Sequence, residues 1–410
     1  MSVQRLAPKD EAEVADVVRD AAEKGTSLEI VSGGTKRGYG RPVAANAVLD
    51  TSALTGIVKY EPEELVLTLR AGTPLAEIEA VLAEKKQMLG FEPADWGPLF
   101  GARAGGATLA GIVATNACGA RRVKAGAVRD HVIGCRFVNG QGEAIKAGGR
   151  VIKNVTGFDL PRLQCGAFGT LGVLTELTFR VSPAPGRVAG LAIKNCDAED
   201  GLRSLRISAG LAIDATGLAL LPAGTAPEDM ACHSGVALIR VEGTPAAVEE
   251  KLSVLRARFA DRDLATLDDD RTAALFRDIG NGSFLVNRDT DVWRLCVPAS
   301  NAHAAAEAAG LRRAEAASAA QAGAESWYAD WAGGLLWLGL PATEETAARL
   351  RRVTARFGGH ATLMRASTEA RDRLAVFEPE TPTRAELTRA VKAAFDPRRV
   401  LNPGRMFKDA

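Results

Sequence analysis

The chain has 410 residues, 51 Lys and Arg against 50 Asp and Glu, a formal charge of +1, and 47% apolar residues. That length favours two domains, and the balance is that of a globular protein with no basic face or arm, so nucleic acid is not an expected partner. The opening MSVQRLAPKDEAEV lacks the apolar stretch of a secretory leader, and no run reaches membrane-spanning length, which gives a cytoplasmic location as the expectation.

Asp10 to Lys24 predicts an amphipathic helix. Val14, Val17, Val18, Ala21 and Ala22 fall at helical spacing, Asp10 and Glu13 stand as a capping pair, and Gly25 marks the stop. Leu28–Val31 reads as a short buried strand running straight into glycines. Leu65–Arg70 alternates as a strand. Thr73-Pro74 then opens a second helix, with Pro at its first position and Leu75, Ile78 and Leu82 on one face. Further strands are expected at Val132–Val138 and Val173–Val181.

At Ser182-Pro183-Ala184-Pro185-Gly186 the texture changes, and a domain boundary is expected there. Strand-like runs (GVALIRVEG, GGLLWLGLP) then alternate with helical stretches (Pro245–Phe259, Thr343–Phe357), the pattern of a second α+β domain. The Ala-rich stretch His303–Ala324 reads as helix. Last comes a helix over Thr383–Phe395, with Thr383 and Glu386 as a capping box and Leu387, Val391 and Phe395 as its apolar face.

Four glycine-dense clusters bear chemistry. The first, VSGGTKRGYG over Val31–Gly40, suits a backbone turned so that several N–H groups meet one anion. It is neither G-x-G-x-x-G nor a P-loop, and a plain structural turn fits that segment equally well. The second spans Gly105 to Asp130 and is rich in small residues, as a ligand lying along the backbone requires; close packing between elements would also produce it. The third is KNVTGFDL (Lys153–Leu160). The fourth, CGAFGTLGVLTELTFRV (Cys165–Val181), allows main-chain contact with a ligand edge or a simple turn.

In their order and spacing these motifs, with the terminal F-D-P-x-x-x-L-N-P-G-R-M, resemble the FAD-linked oxidases of the vanillyl-alcohol-oxidase or PCMH type. Within that family the chain is most similar to flavin subunits of glycolate (2-hydroxy acid) dehydrogenase complexes. The resemblance covers Leu6 to about Pro185 and the last 28 residues closely, and the middle loosely, with Tyr328–Gly334 as landmark. It implies an α+β fold: a two-subdomain FAD-binding domain at 1–185, an α+β cap with an antiparallel sheet at 186–382, and a C-terminal segment, 383–410, returning to the FAD-binding domain.

The resemblance further implies that Ser32, Gly33, Gly34, Thr35, Lys36, Arg37 and Gly38 wrap the FAD pyrophosphate. Thr108, Leu109, Gly111, Asn116, Gly119 and Arg122 would lie along the cofactor. Gly126 and Asp130 form the family's next contact segment, Gly172 and Val173 offer main-chain contacts, and Asn402 returns from the C-terminus. One departure stands out: Ala110-Gly111 occupies a place where relatives carry two glycines. Residues 31–41 hold no histidine or cysteine to tether a flavin, and His131 does not match the usual attachment position, so the FAD is expected to be non-covalent.

The substrate side is less complete. The metal-type histidine segment common among 2-hydroxy acid oxidising relatives is missing, so no metal site is expected and no catalytic residue is assigned. His131, His233, His303 and His360 stand alone, and the six cysteines are far apart with no C-x-x-C, the pattern of packed, reduced thiols. Two readings stay open. In one, the chain is the FAD-bearing subunit of a complex that oxidises glycolate or D-lactate, with a homologous catalytic flavin subunit and an iron–sulfur subunit as partners and the membrane reached only through them. In the other, it is an independent FAD-dependent oxidase using cap residues such as Arg240, Arg294, Tyr328 or Trp331; Trp327, Trp331 and Trp337 would serve equally as core or interface residues.

Overall fold

The computed structural model describes residues 4–149, 157–230, 232–287, 289–311 and 326–409. The first four residues of the KNVTGFDL motif, and most of the Ala-rich stretch beyond residue 311, lie outside them. The chain divides into two compact units: residues 1–118, 127–184 and 379–410 form the first, and residues 119–126 and 185–378 the second. Relative to the expected boundaries, Gly119–Gly126 joins the second unit and the C-terminal return begins at residue 379.

The first unit holds two sheets. Strands β1 (Gln4–Leu6), β2 (Leu28–Val31) and β3 (Ala47–Asp50) make a parallel sheet in the order β1-β3-β2. Strands β4 (Ile57–Glu61), β5 (Val66–Arg70), β6 (Gln87–Leu89), β7 (Val132–Val138), β8 (Ala144–Gly148) and β9 (Val173–Pro183) make an antiparallel sheet ordered β4-β5-β9-β7-β8, with β6 also paired to β9.

The first helix runs Glu11–Lys24, with the Asp10 carboxylate accepting from Glu13 N at 2.9 Å and left-handed Gly25 ending it. The Glu13 carboxylate reaches Lys9 N instead of Asp10 N, so the expected pair caps one residue further out. Val14, Val18 and Ala21 bury against Leu28, Leu49, Val138, Val173 and Leu401, each fully buried valine contributing about 1.5–3 kcal/mol. The next helix, Leu75–Glu84, takes Pro74 as its N-cap, one place earlier than expected, and buries Leu75, Ile78 and Leu82.

The C-terminal helix corrects the sequence reading. It spans Pro382–Phe395 with Thr381 as N-cap and Pro382 in the first turn, so Thr383 lies inside the helix and no Thr383–Glu386 capping box forms. Its expected apolar face is only partly turned inward: Leu387 is 65% exposed, Val391 and Phe395 are half-buried with Phe395 6.0 Å from Phe137 between ring centroids, and Lys392 is buried beside them. Lys392 Nζ donates to the carbonyls of Thr170 and Leu401 and to Asp396 Oδ2, at 2.7–2.8 Å. Asp396, fully buried, also accepts from the amides of Val400 and Leu401. This ionic corner fixes the chain as it returns alongside β2, where Leu28 N meets Val400 O and Asn402 N meets Leu28 O.

The second unit carries an antiparallel sheet of eight described strands. They are β10 (Arg187–Cys196), β11 (Gly217–Leu221), β12 (Gly235–Gly243), β13 (Leu264–Leu267), β14 (Val292–Cys296), β15 (Ser326–Asp330), β16 (Leu335–Gly339) and β17 (His360–Arg365), ordered β13-β10-β12-β11-β15-β16-β14-β17. Period-2 alternation gives it two unlike faces. Ile239, Trp293, Leu295, Ala329, Leu336, Leu338, Ala361 and Leu363 point into a core shared with helices such as Ala198–Ala209 and Pro245–Arg258. The opposite face carries Arg240, Glu242, Arg294, Tyr328, Trp337 and Thr362.

Candidate functional site

In the first unit β2 ends at Val31 and the chain turns through Ser32–Gly38 beside the Leu109–Thr115 helix. Between them lies an open cleft lined by Ile30 to Arg37, Thr108, Gly111, Ala114, Thr115, Phe168, Asn402 and Arg405. Glycine is required here for a specific reason. A Cβ on Gly33 would stand 2.2 Å from Gly106 O and 2.9 Å from Thr108 Cγ2, and Gly34 adopts φ +70°. The close approach lets Gly33 N reach Thr108 Oγ1 at 3.4 Å, while Thr108 Oγ1 donates to Ser32 Oγ at 3.0 Å.

The loop is rich in unused donors. Among the described residues the amides of Gly34, Thr35 and Lys36 meet no acceptor, and consecutive amides free at a turn form an anion cradle. Lys36 is buried with its ammonium lacking a hydrogen-bond partner among the described residues. Burial pushes its pKa down from 10.5 to about 8, and Asp95 opposes that only in part. A buried, under-satisfied cation beside free amides is chemically matched to a diphosphate. Arg37 differs: its Nε donates to Glu29 Oε1 at 2.9 Å, a pairing that raises the guanidinium pKa.

The C-terminus completes the cleft. Asn402 Oδ1 accepts from Ile30 N at 2.8 Å and Asn402 Nδ2 donates to Phe168 O at 2.7 Å, so one side chain ties β2 to the 166–172 turn. Arg405 donates to the carbonyls of Lys36 and Arg37 at 3.2 and 3.0 Å and holds the loop from behind.

Of the expected cofactor residues, the cleft gathers Ser32, Gly33, Gly34, Thr35, Lys36, Arg37, Thr108, Gly111 and Asn402. Gly38 instead packs on Phe100, and Gly172 on Phe137. Leu109 and Val173 are fully buried in the core, and Leu109 N already donates to Thr73 O. Asn116, left-handed at φ 50°, ends its helix, and the Asp130 carboxylate receives Ala127 N at 2.8 Å. Gly119, Arg122 and Gly126 belong to the second unit. Ala110 is buried and absent from the cleft wall, so its methyl does not stand in the way of a ligand. Sequence reasoning passed over Phe168 and Arg405, while Thr115, a short polar group of the Gly105–Asp130 cluster, joins the wall; Arg405 lies within the quoted L-N-P-G-R run and could have been found there.

His131 is buried against Phe91, with ring centroids 5.7 Å apart, and is not part of the cleft wall. Burial drives the Cys135 thiol up to about 12 and Cys196 to about 11, as in inert packed thiols. Among the described residues no cluster of His, Cys, Asp and Glu could hold a metal ion, and no helix is long and apolar enough to cross a membrane.

Residues 4–148 match the FAD binding domain family and residues 373–406 the C-terminal domain of FAD linked oxidases. The chain is 32% identical over 393 residues to glycolate oxidase subunit GlcE of Escherichia coli, covering 96% of each protein. This chain belongs to the FAD-linked oxidase family. It is also 35% identical over 191 residues to a D-lactate dehydrogenase of Anaerostipes hadrus, a match spanning 46% of this chain and 38% of that protein. Its fold is that of p-cresol methylhydroxylase, with a TM-score of 0.73 over 99% of this chain and 88% of that one, at 17% identity. The expected PCMH-type α+β fold and the FAD cofactor are thus both established.

Proposed function

We propose that this chain is the FAD-bearing subunit of a complex that oxidises a 2-hydroxy acid, glycolate or D-lactate, to the 2-oxo acid and delivers the electrons to an iron–sulfur partner. The observation that carries this reading is the near full-length likeness to glycolate oxidase subunit GlcE. The cleft supports it, because its free amides and the buried Lys36 ammonium suit the FAD diphosphate. Bound FAD supplies the hydride acceptor. The chain's own residues position it: Asn402 and Arg405 brace the loop, and Gly33 lets the backbone approach closely.

In this reading a homologous flavin subunit contributes the metal-assisted substrate site and the iron–sulfur subunit contributes the cluster. Membrane association, where it occurs, runs through those partners. The test is anaerobic mixing of the FAD-loaded chain with glycolate or D-lactate, alone and with the partner subunits. Flavin bleaching only in the complex is the expected result. Prompt bleaching of the isolated chain would favour the independent oxidase, for which Arg294 and Trp331 are the candidate residues.

A further inference from the structure

The C-terminal helix of the first unit has an outer face that the cofactor cleft does not use. Of its residues, Pro382–Phe395, Lys392 alone is buried. A helix of this length is marginal in water unless one of its faces packs on a neighbour. Within the chain that packing is concentrated at the C-terminal end. There Gly140 N donates to Phe395 O at 2.9 Å, the Phe395 ring lies 6.0 Å from that of Phe137, and Lys392 is locked to Asp396. At the other end Glu380 accepts from the Thr388 hydroxyl at 2.8 Å and lies 3.4 Å from Arg384. Both ends are fixed, and the side turned to solvent is left open.

That side is patterned. Leu387, Ala390, Val391 and Ala394 fall at i, i+3, i+4 and i+7, the stripe with which a helix packs on another element. Leu387 is 65% exposed, Ala390 and Ala394 are exposed, and Val391 is half-buried. One large side chain set among alanines is a knob with room beside it for another backbone to come close. The charge around the stripe is one-sided. Arg384 and Arg389 flank it, and Arg398 and Arg399 are exposed in the turn that follows. Among the described residues the guanidiniums of Arg389, Arg398 and Arg399 meet no carboxylate. Glu386, on the Arg389 side, is the helix's single acid.

An apolar stripe edged by unpaired arginines is complementary to an apolar surface edged by carboxylates. A second copy of the same face would set arginine against arginine, and a lipid surface would need more large apolar side chains than Leu387 to hold the helix. We propose that this face, with Leu387 as its anchor, docks an acid-edged apolar surface of the electron-accepting iron–sulfur subunit. The choice of subunit rests on the proposed function, in which electrons leave from the FAD of the first unit. The helix runs through the Lys392–Asp396 corner directly into Asn402 and Arg405, two residues of the cofactor cleft wall, so the docked subunit is seated on the stretch of chain that closes the cleft. The docking chemistry rests on the helix alone.

The test is titration of the purified, FAD-loaded full chain onto the immobilised iron–sulfur subunit, with FAD per chain and helix content by circular dichroism read alongside. Leu387→Asp, and the double change of Arg389→Glu with Arg398→Glu, should each weaken association about tenfold or more with FAD and helix content unchanged. Leu387→Met should retain it. Wild-type association should weaken as salt rises, and that of the charge-reversed chain should not. Unchanged affinity of the Leu387→Asp and charge-reversed chains would overturn the docking face and leave the proposed function standing. The same losses measured against the homologous flavin subunit instead would overturn the assignment. So would an isolated wild-type chain that sediments as a dimer, or floats with phosphatidylglycerol vesicles, and ceases to do so on Leu387→Asp, because the face then belongs to a second copy or to lipid. No association of the wild-type chain with the iron–sulfur subunit would overturn the proposed function and this assignment together.

Discussion

Lys36 offers the sharpest quantitative consequence of the cleft. Burial lowers its pKa from 10.5 to about 8, so in the FAD-free protein the charged form costs roughly 3 kcal/mol relative to water. The unfolded chain binds the proton more tightly than the folded one between those two values. Stability of the FAD-free protein therefore gains from this group as pH rises from 8 towards 10.5. A diphosphate in the cleft reverses the balance by favouring the ammonium. FAD affinity should then be constant below pH 8 and fall above it, by about 30-fold between pH 7 and 9.5 if the bound-state pKa returns to 10.5. Lys36→Met should stabilise the FAD-free protein at pH 7, weaken FAD binding, and remove the alkaline dependence. Fluorescence titration of FAD into wild-type and variant apoprotein at both pH values, with urea melts of the FAD-free forms, reads all three effects. Equal wild-type affinity at pH 7 and 9.5, or a variant apoprotein less stable than wild type, would refute the reasoning.

Other positions give simpler expectations. Gly33→Ala places a methyl 2.2 Å from Gly106 O; it should purify folded but colourless, seen as a collapse of absorbance near the flavin band relative to protein. Asn402→Ala removes two hydrogen bonds, to Ile30 N and Phe168 O, and should cost about 2 kcal/mol in denaturant melts while loosening FAD. Lys392→Met leaves the buried Asp396 carboxylate without its cation, a loss of about 3–5 kcal/mol. Its melt should respond to Asp396→Asn as a second substitution, which removes the orphaned charge and recovers part of the loss.

How much of this was readable from sequence depends on the range of the interaction. The Glu11–Lys24 helix and the β2 strand were legible because spacing, cap and stop are all local. That Ser32–Arg37 and Asn402 share one cleft was legible through family motifs, whereas Gly38 packs on Phe100 and Arg405 in the same motif was overlooked. The C-terminal helix misled for a physical reason. Pro382, lacking an N–H, suits the first turn and shifts the cap to Thr381, and a buried Lys392–Asp396 pair, invisible to hydrophobic periodicity, sets which side faces inward. The contacts of Arg122 and Arg294 with the Trp331 ring, 4.7 and 5.3 Å from its centre, were hidden because they arise only through the fold of the second unit, which Gly119–Gly126 joins.

Dissociable FAD held in the first unit's cleft is the feature on which the proposed function depends most directly. The decisive measurement is denaturation of the purified chain, followed by identification and counting of flavin in the supernatant and inspection of the polypeptide for fluorescence on a denaturing gel. One FAD released per chain and a non-fluorescent polypeptide are predicted, with release from Gly33→Ala protein reduced to a small fraction of that. Flavin remaining on the polypeptide, or full FAD occupancy in the Gly33→Ala protein, would contradict the account.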